Sequence, residues 1–132
     1  MKGFNTVLEK EALKNADFRR VLYTGKHSQL VLMCLQPGEE IGEEVHPHID
    51  QFFRFEKGEG LVVIDGVKHA VKDGGGVIIP SGARHNVINT SKTAELKLYT
   101  IYSPPEHIDK TVRHTKADAV ARPEEYDGKP TE

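Results

Sequence analysis

The sequence has little of several residue types, and each shortage excludes a class of structure or function. It contains a single cysteine, Cys34, so an intramolecular disulfide and a cysteine-based zinc site are both excluded. No run of Lys and Arg occurs and the formal net charge is -2, so nucleic-acid binding has no electrostatic support. No apolar stretch has the length of a transmembrane segment or the form of a signal peptide. We therefore expect a cytoplasmic protein that does not contact a membrane.

The chain is long enough for one domain. Its 132 residues, of which 37% are hydrophobic, can bury a core without disulfides or a structural metal. We find no internal repeat and no linker that divides the sequence. Three parts are expected: an amino-terminal arm over residues 1–29, a β-barrel domain over residues 30–103 and a polar carboxy-terminal extension over residues 104–132.

Short β-favouring runs recur about every ten residues, with turn signals between them. Asp65-Gly66 separates two such runs and is a strong hairpin signal, because a type I′ turn needs positive φ at both central residues. Pro104-Pro105 closes the last run, since proline cannot continue a hydrogen-bonded ladder. The pattern predicts an all-β, antiparallel barrel or sandwich over residues 30–102. Helix is expected only near the termini, over residues 7–18 and 116–121.

Seven histidines occur, and two of them stand two residues apart in Val45-His46-Pro47-His48. Residues two apart in an extended segment point to the same face, so both imidazoles can reach one ion. Gln51 offers a carbonyl oxygen shortly afterwards, and His85 lies in a separate hairpin. Imidazoles with one oxygen donor suit Fe, Mn, Ni, Cu or Zn, and the set does not choose among them. A His-x-His pair alone fits a surface pair of histidines equally well.

Two stretches resemble the conserved motifs of the cupin superfamily. Residues 42–58 resemble the first motif, in which a His-x-His pair is followed by a glutamate and, seven residues after that glutamate, by a glycine. The pair here is His46 and His48, the glycine is Gly58, and Gln51 stands where the family usually has glutamate. Residues 74–89 resemble the second motif at every step of its spacing. Its positions are Gly74, Pro80, Gly82, His85 and Asn89.

The resemblance implies a cupin-type antiparallel β-barrel, or double-stranded jelly roll, with short helical segments at the termini. It also implies one divalent transition-metal ion, such as Zn, Mn, Fe or Ni, held by His46, His48, Gln51 and His85. Glutamine in place of glutamate removes a negative charge from this ligand set. The ion then keeps more of its charge, so a bound water becomes a stronger acid while affinity for a hard cation falls.

Small cupins with this pattern are similar to phosphomannose isomerase-like cupins. The resemblance implies a metal-dependent enzyme that acts on a small polar substrate such as a sugar or sugar phosphate in the barrel. The sequence shows no evident catalytic base and no Lys/Arg cluster for a phosphate, so the catalytic residues are unassigned. A non-catalytic cupin that binds or senses a small molecule is one alternative, and a metal-dependent dioxygenase is another.

Other residues carry structural expectations. Phe53 and Phe55 share parity with Gln51, so they are expected to fill the barrel core. Glu43 and Glu44, which precede the histidine pair, are expected to face solvent, or one of them to act as an acid or base near the metal. His69 is expected at the core or the pocket edge, His107 in a solvated loop, and the tail beyond Pro123 as loose chain.

The amino-terminal segment has apolar residues but no core of its own. These residues are Val7, Leu8 and Leu13. A small barrel also has exposed sheet edges that proteins usually cover. We therefore expect the segment to cross onto a second subunit and form a homodimer, the commonest closed assembly.

Overall fold

The computed structural model describes residues 1–132 as two antiparallel β-sheets with two short helices. The helices are α1 (Leu8–Lys14) and α2 (Lys116–Ala121). The strands are β1 (Arg19–Thr24), β2 (Gln29–Leu35), β3 (Glu44–Val45), β4 (Asp50–Lys57), β5 (Glu59–Ile64), β6 (Val67–Lys72), β7 (Gly76–Ile79), β8 (Arg84–Asn89), β9 (Leu96–Ser103) and β10 (Val112–Arg113).

The two sheets enclose one core. The larger sheet has six strands in the order β10-β1-β2-β9-β4-β7, and the smaller has four in the order β3-β8-β5-β6. Every strand pair is antiparallel. The predicted all-β antiparallel architecture with helix only near the termini is confirmed.

The runs identified in the sequence correspond to β2 and to β4 through β9. The predicted hairpin joins β5 to β6, with Asp65 at φ 46° and Gly66 at φ 81°. Three strands were not predicted, namely β1, β3 and β10. Strand β1 pairs with both β2 and β10, so the larger sheet extends beyond residues 30–103 into the two flanking segments.

Strict alternation along β4 sets the inner face of the barrel. Gln51, Phe53 and Phe55 are buried, and the residues between them are only half-buried. The two phenylalanines belong to a single buried hydrophobic cluster supplied by both sheets. The prediction that they fill the core is confirmed. Gln51 occupies an alternate position on the same strand, so its side chain points into the same interior.

Both termini are attached to the barrel. Helix α1 packs against β2, β4 and β9 of its own chain and buries Ala12. The expected loose tail is instead bound to the body of the fold, since the backbone N–H of Tyr126 donates to the carbonyl of Glu106 at 2.8 Å. The Thr131 N–H likewise donates to the Thr24 carbonyl at 2.8 Å. Neither helix is long and apolar enough to cross a membrane.

Candidate metal centre

Three potential metal ligands meet between the sheets, near the end of the short strand β3. Glu44 and His85 are direct partners in the β3–β8 ladder, and His46 follows two residues after Glu44. Each of the three offers a ligand atom, and these atoms lie within 4.8 Å of one another. Glu44 Oε2 is 3.1 Å from His46 Nε2 and 3.9 Å from His85 Nε2. The imidazole centroids are 5.3 Å apart.

His85 presents one ring nitrogen with no hydrogen-bond partner. Its Nδ1 lies 3.0 Å from the carbonyl oxygen of Ala83, which fixes Nδ1 as the donor in a neutral ring. Nε2 is then an acceptor, and it is buried without a partner. A buried polar atom left unpaired is costly, so this nitrogen needs a partner from outside the chain, such as a metal ion.

Gln51 reaches the interior from the opposite sheet. Its Nε2 donates to Thr100 Oγ1 at 3.0 Å, and its Oε1 is buried without a partner. Gln51 is also the register partner of Tyr102, whose ring meets the His46 ring edge-on at 6.0 Å. Gln51 Oε1 and His85 Nε2 are two of only four buried side-chain atoms in the protein without a partner. A cation held by Glu44, His46 and His85 would satisfy His85 Nε2, so this donor set fits a metal ion.

The structure places His48 outside this group. Pro47 and His48 form a turn, and the His48 side chain is exposed. The turn ends the extended conformation at His46, so the alternation that relates His46 to His48 in the sequence does not continue. The same spacing of two instead relates Glu44 to His46. Shifting the paired positions of the first motif by two residues would have identified Glu44 from the sequence.

Charge interactions within the group favour its ionised forms. Burial raises the pKa of Glu44, but the hydrogen bond from His46 and the nearby positive groups outweigh it, so the pKa lies below its usual value. Burial lowers the pKa of His46, but Glu44 and Glu106 outweigh that effect and raise it above 6.5. A deprotonated Glu44 suits a metal ligand, whereas the proton on His46 must leave when a metal binds.

A second carboxylate, Glu106, lies at the opening of the site. Its Oε2 is 3.7 Å from His46 Nδ1. It lines a cavity of about 460 Å³ that also contains His46, His48 and Tyr126. Burial raises the pKa of Glu106, which also lies near the negative charge of Glu44. This acid was not identified in the sequence, because it follows Pro104-Pro105 in a segment without strand periodicity.

His107 belongs to a buried hydrogen-bond chain behind the site, and the expectation of a solvated loop residue is wrong. Its Nδ1 lies 2.9 Å from Glu124 Oε1 and its Nε2 lies 3.2 Å from the Tyr102 hydroxyl. Arg113 also donates to Glu124, at 3.1 Å. These hydrogen bonds fix the position of Tyr102, which packs against His46. His69, in contrast, is exposed on β6 and is not part of the group.

Comparison with known proteins agrees with this architecture. Residues 31–102 match the family described as Cupin domain. The uncharacterized protein YrkC of Bacillus subtilis (strain 168) is 47% identical in an alignment of 126 residues that covers 91% of this chain and 67% of that protein. The uncharacterized protein L612 of Acanthamoeba polyphaga mimivirus is 47% identical in an alignment of 103 residues that covers 76% of this chain and 64% of that protein.

A solved structure extends the similarity to three dimensions. The crystal structure of BH2720 from Bacillus halodurans is 46% identical, with a TM-score of 0.89 that covers 92% of this chain and 96% of that chain. The curated relatives are longer, since this chain spans about two thirds of each. The family match covers both stretches that resemble cupin motifs, and the chain belongs to the cupin family.

Proposed function

We propose that this cupin binds one divalent transition-metal ion through Glu44, His46, His85 and Gln51. The observation that carries the proposal is the cluster of ligand atoms from Glu44, His46 and His85, in which His85 Nε2 is buried without a partner. Gln51 Oε1 is likewise buried without a partner and comes from the facing sheet. Two imidazole nitrogens and two oxygens suit Zn, Mn, Fe or Ni. Three of these residues were predicted as ligands from the sequence, and Glu44 is proposed in place of His48.

The metal proposal is tested by a competition titration against a chromophoric chelator, on metal-free protein without a histidine tag. Glu44→Gln, His46→Ala and His85→Ala should each lower the affinity for Zn²⁺ by more than about 100-fold, the upper range for losing an outer-sphere residue. His48→Ala is the matched control, since it removes the neighbouring exposed imidazole and should leave affinity unchanged. If Glu44→Gln still binds Zn²⁺ and His48→Ala does not, the ligands are instead His46, His48, Gln51 and His85, as expected from the sequence.

We propose further that the metal centre acts on a small polar substrate. A bound ion supplies Lewis-acid chemistry, polarising a carbonyl or hydroxyl oxygen of the substrate. The chain would supply the proton transfer: Glu106 lies at the cavity opening, with Oε2 3.7 Å from His46 Nδ1, and its carboxyl group would accept or donate the proton. Tyr102, fixed by His107, would orient His46. An isomerase for a sugar or sugar phosphate is one enzyme of this kind, and a metal-dependent dioxygenase is another.

The non-catalytic alternative is a cupin that binds or senses a small molecule at the same centre. A coupled assay for interconversion of mannose 6-phosphate and fructose 6-phosphate by the metal-loaded protein tests the isomerase. Activity that Glu106→Gln abolishes at unchanged metal stoichiometry would support it. Binding of the sugar phosphate without turnover would support the non-catalytic alternative.

A further inference from the structure

Arg19 is a buried cation without a hydrogen-bond acceptor. It lies on β1, only 8% of its surface is exposed, and its Nε is buried without a partner. The nearest carboxylate oxygen, Glu124 Oε1, is 3.8 Å from the guanidinium, which is beyond hydrogen-bond distance. Glu124 is already engaged by His107 and Arg113. The Phe18 ring lies 5.4 Å from the guanidinium carbon, which stabilises the charge but accepts no conventional hydrogen bond.

The Arg19 side chain adjoins the proposed metal centre. It lines a cavity of about 220 Å³ together with Glu44, Glu106 and His107. Glu44 is a proposed metal ligand, and Glu106 also lines the larger cavity that contains His46. The two cavities therefore share Glu106, and each is lined by one proposed ligand, Glu44 in the smaller cavity and His46 in the larger. Lys116 also lines the smaller cavity.

The local charges favour an anion of low charge once the metal is bound. Glu44, Glu106 and Glu124 are negative groups around Arg19, and Arg113 is the second guanidinium. A divalent ion together with Arg19, Arg113 and Lys116 outweighs these three carboxylates. Without the metal, the three cations only balance the three carboxylates, so the cavity offers an anion no net positive charge.

We propose that Arg19 binds the carboxylate of a small organic acid whose remaining polar oxygens face the metal centre. This proposal rests on the proposed metal-binding function, because the ion supplies the positive charge that makes the cavity attractive to an anion. A guanidinium presents parallel N–H donors that match the two oxygens of a carboxylate. The three nearby carboxylates disfavour a phosphate dianion, which would bring more negative charge into the same space.

Calorimetric titration of the metal-loaded protein with glycolate tests the role of Arg19. Glycolate should bind the wild type at least about tenfold more tightly than its uncharged amide, glycolamide, because a hydrogen bond to a charged group is lost in the amide. Arg19→Gln should lose this discrimination, and Arg19→Lys should retain part of it. Arg20→Gln is the matched control: Arg20 is the next residue on β1, and it pairs with Asp17 at 2.7 Å instead of lining the cavity.

The results separate this proposal from the metal proposal. Loss of Zn²⁺ binding is read from the chelator titration, whereas the anion proposal is read from glycolate affinity at full metal loading. Equal wild-type affinities for glycolate and glycolamide would overturn the anion proposal. So would an Arg19→Gln protein that loses thermal stability yet binds glycolate as the wild type does, because Arg19 would then act only as a counter-ion for Glu124. Arg19-dependent binding of inorganic phosphate in preference to glycolate would overturn the carboxylate assignment.

Discussion

Gln51 is the residue at which the chain departs from the motif it resembles. The amide oxygen is neutral, and Thr100 accepts a hydrogen bond from the amide nitrogen, so Oε1 is the atom left to face the centre. A neutral ligand leaves more positive charge on a bound ion than a carboxylate does. In the ligand set proposed above, Glu44 would supply the negative charge in its place. The proposed set therefore keeps one carboxylate, which comes from the smaller sheet instead of the larger one.

Replacement of Gln51 by glutamate tests whether residue 51 reaches the ion. Gln51→Glu is nearly isosteric and adds a carboxylate, so we expect tighter Zn²⁺ binding in the chelator competition titration. The added charge also weakens the pull of the ion on a bound oxygen, so any turnover should fall. Gln51→Leu, which removes the oxygen, should bind Zn²⁺ less tightly than the wild type. Unchanged affinity in both variants would show that residue 51 is not a ligand.

The sequence predicts which side chains of a long strand face inward, but it does not predict where a short strand ends. The parity of β4 correctly assigns Gln51 to the interior because the strand is eight residues long and its burial alternates from Gln51 to Glu56. Strand β3 has only two residues, and the turn at Pro47 follows His46 immediately. Alternation alone fits Glu44 with His46 as well as it fits His46 with His48. Only the fold, through the pairing of Glu44 with His85, favours the former.

At the scale of elements, the junction between β4 and β5 depends on a glycine. Gly58 has φ +102°, and a Cβ there would lie 2.6 Å from the carbonyl oxygen of Glu95. Gly66, in the β5–β6 hairpin, has φ +81° but no atom within 4 Å of the same position. The two glycines share a backbone requirement and differ in the space around them.

Substitution of these two glycines separates backbone strain from steric overlap. Gly66→Ala should cost about 1–2 kcal/mol of unfolding free energy, the penalty for a left-handed residue with a Cβ. Gly58→Ala should cost a further ~1–3 kcal/mol, because the backbone must move away from Glu95. Urea denaturation monitored by circular dichroism measures both. Equal losses in the two variants would show that the contact with Glu95 relaxes without cost.

The carboxy-terminal segment gives the fold a specific dependence on pH through His107. Burial lowers the pKa of His107 below its ordinary value of 6.5, despite the opposing effect of Glu124. As pH falls below about 6.5, the unfolded chain binds a proton at this residue before the folded protein does. Folded stability contributed by neutral His107 is therefore present above that pH and is lost as the solution becomes acidic.

Thermal denaturation of the metal-free protein between pH 7.5 and pH 5.5 measures this contribution. We expect His107→Gln to lose less stability than the wild type over that range, because glutamine bears no titrating proton. His69→Gln, which changes an exposed histidine on β6, is the matched control and should follow the wild type. Parallel melting profiles for the wild type and His107→Gln would contradict the assignment.

The sequence predicts strands where turn residues bound them, and it misses those that depend on the fold. Asp65-Gly66 and Pro104-Pro105 mark strand ends, and the structure confirms both. Strand β1 begins with Arg19 and Arg20, so its sequence lacks the apolar character of β2. Its strand conformation comes from pairing with β2 and β10. The same tertiary pairing brings Arg19 to the site, and no sequence motif signals it.

At the scale of the whole molecule, the amino-terminal segment and the β7 edge are two of the places where apolar side chains remain exposed. The amino-terminal segment exposes Val7 (68%) and Leu13 (39%), although α1 packs on its own barrel. Ile78, on the edge strand β7, is 68% exposed, and its register partner on β4, Phe52, is half-buried. Exposed apolar groups on an unpaired sheet edge favour association with another copy.

We predict that the protein is a homodimer in which the apolar groups of α1 and of the β7 edge contact a second subunit. Light scattering at micromolar concentration should give twice the chain mass of 14.7 kDa. Val7→Lys and Ile78→Lys should each shift the protein towards the monomer, because a lysine ammonium buried in an apolar contact is strongly disfavoured. Val120→Lys is the matched control, since Val120 is 70% exposed on α2, which packs against β10 at the opposite end of the larger sheet from β7. A wild-type monomer would rule out the dimer. If Ile78→Lys dissociates the dimer and Val7→Lys does not, the contact between subunits lies on the β7 edge. The amino-terminal segment would then pack only on its own barrel.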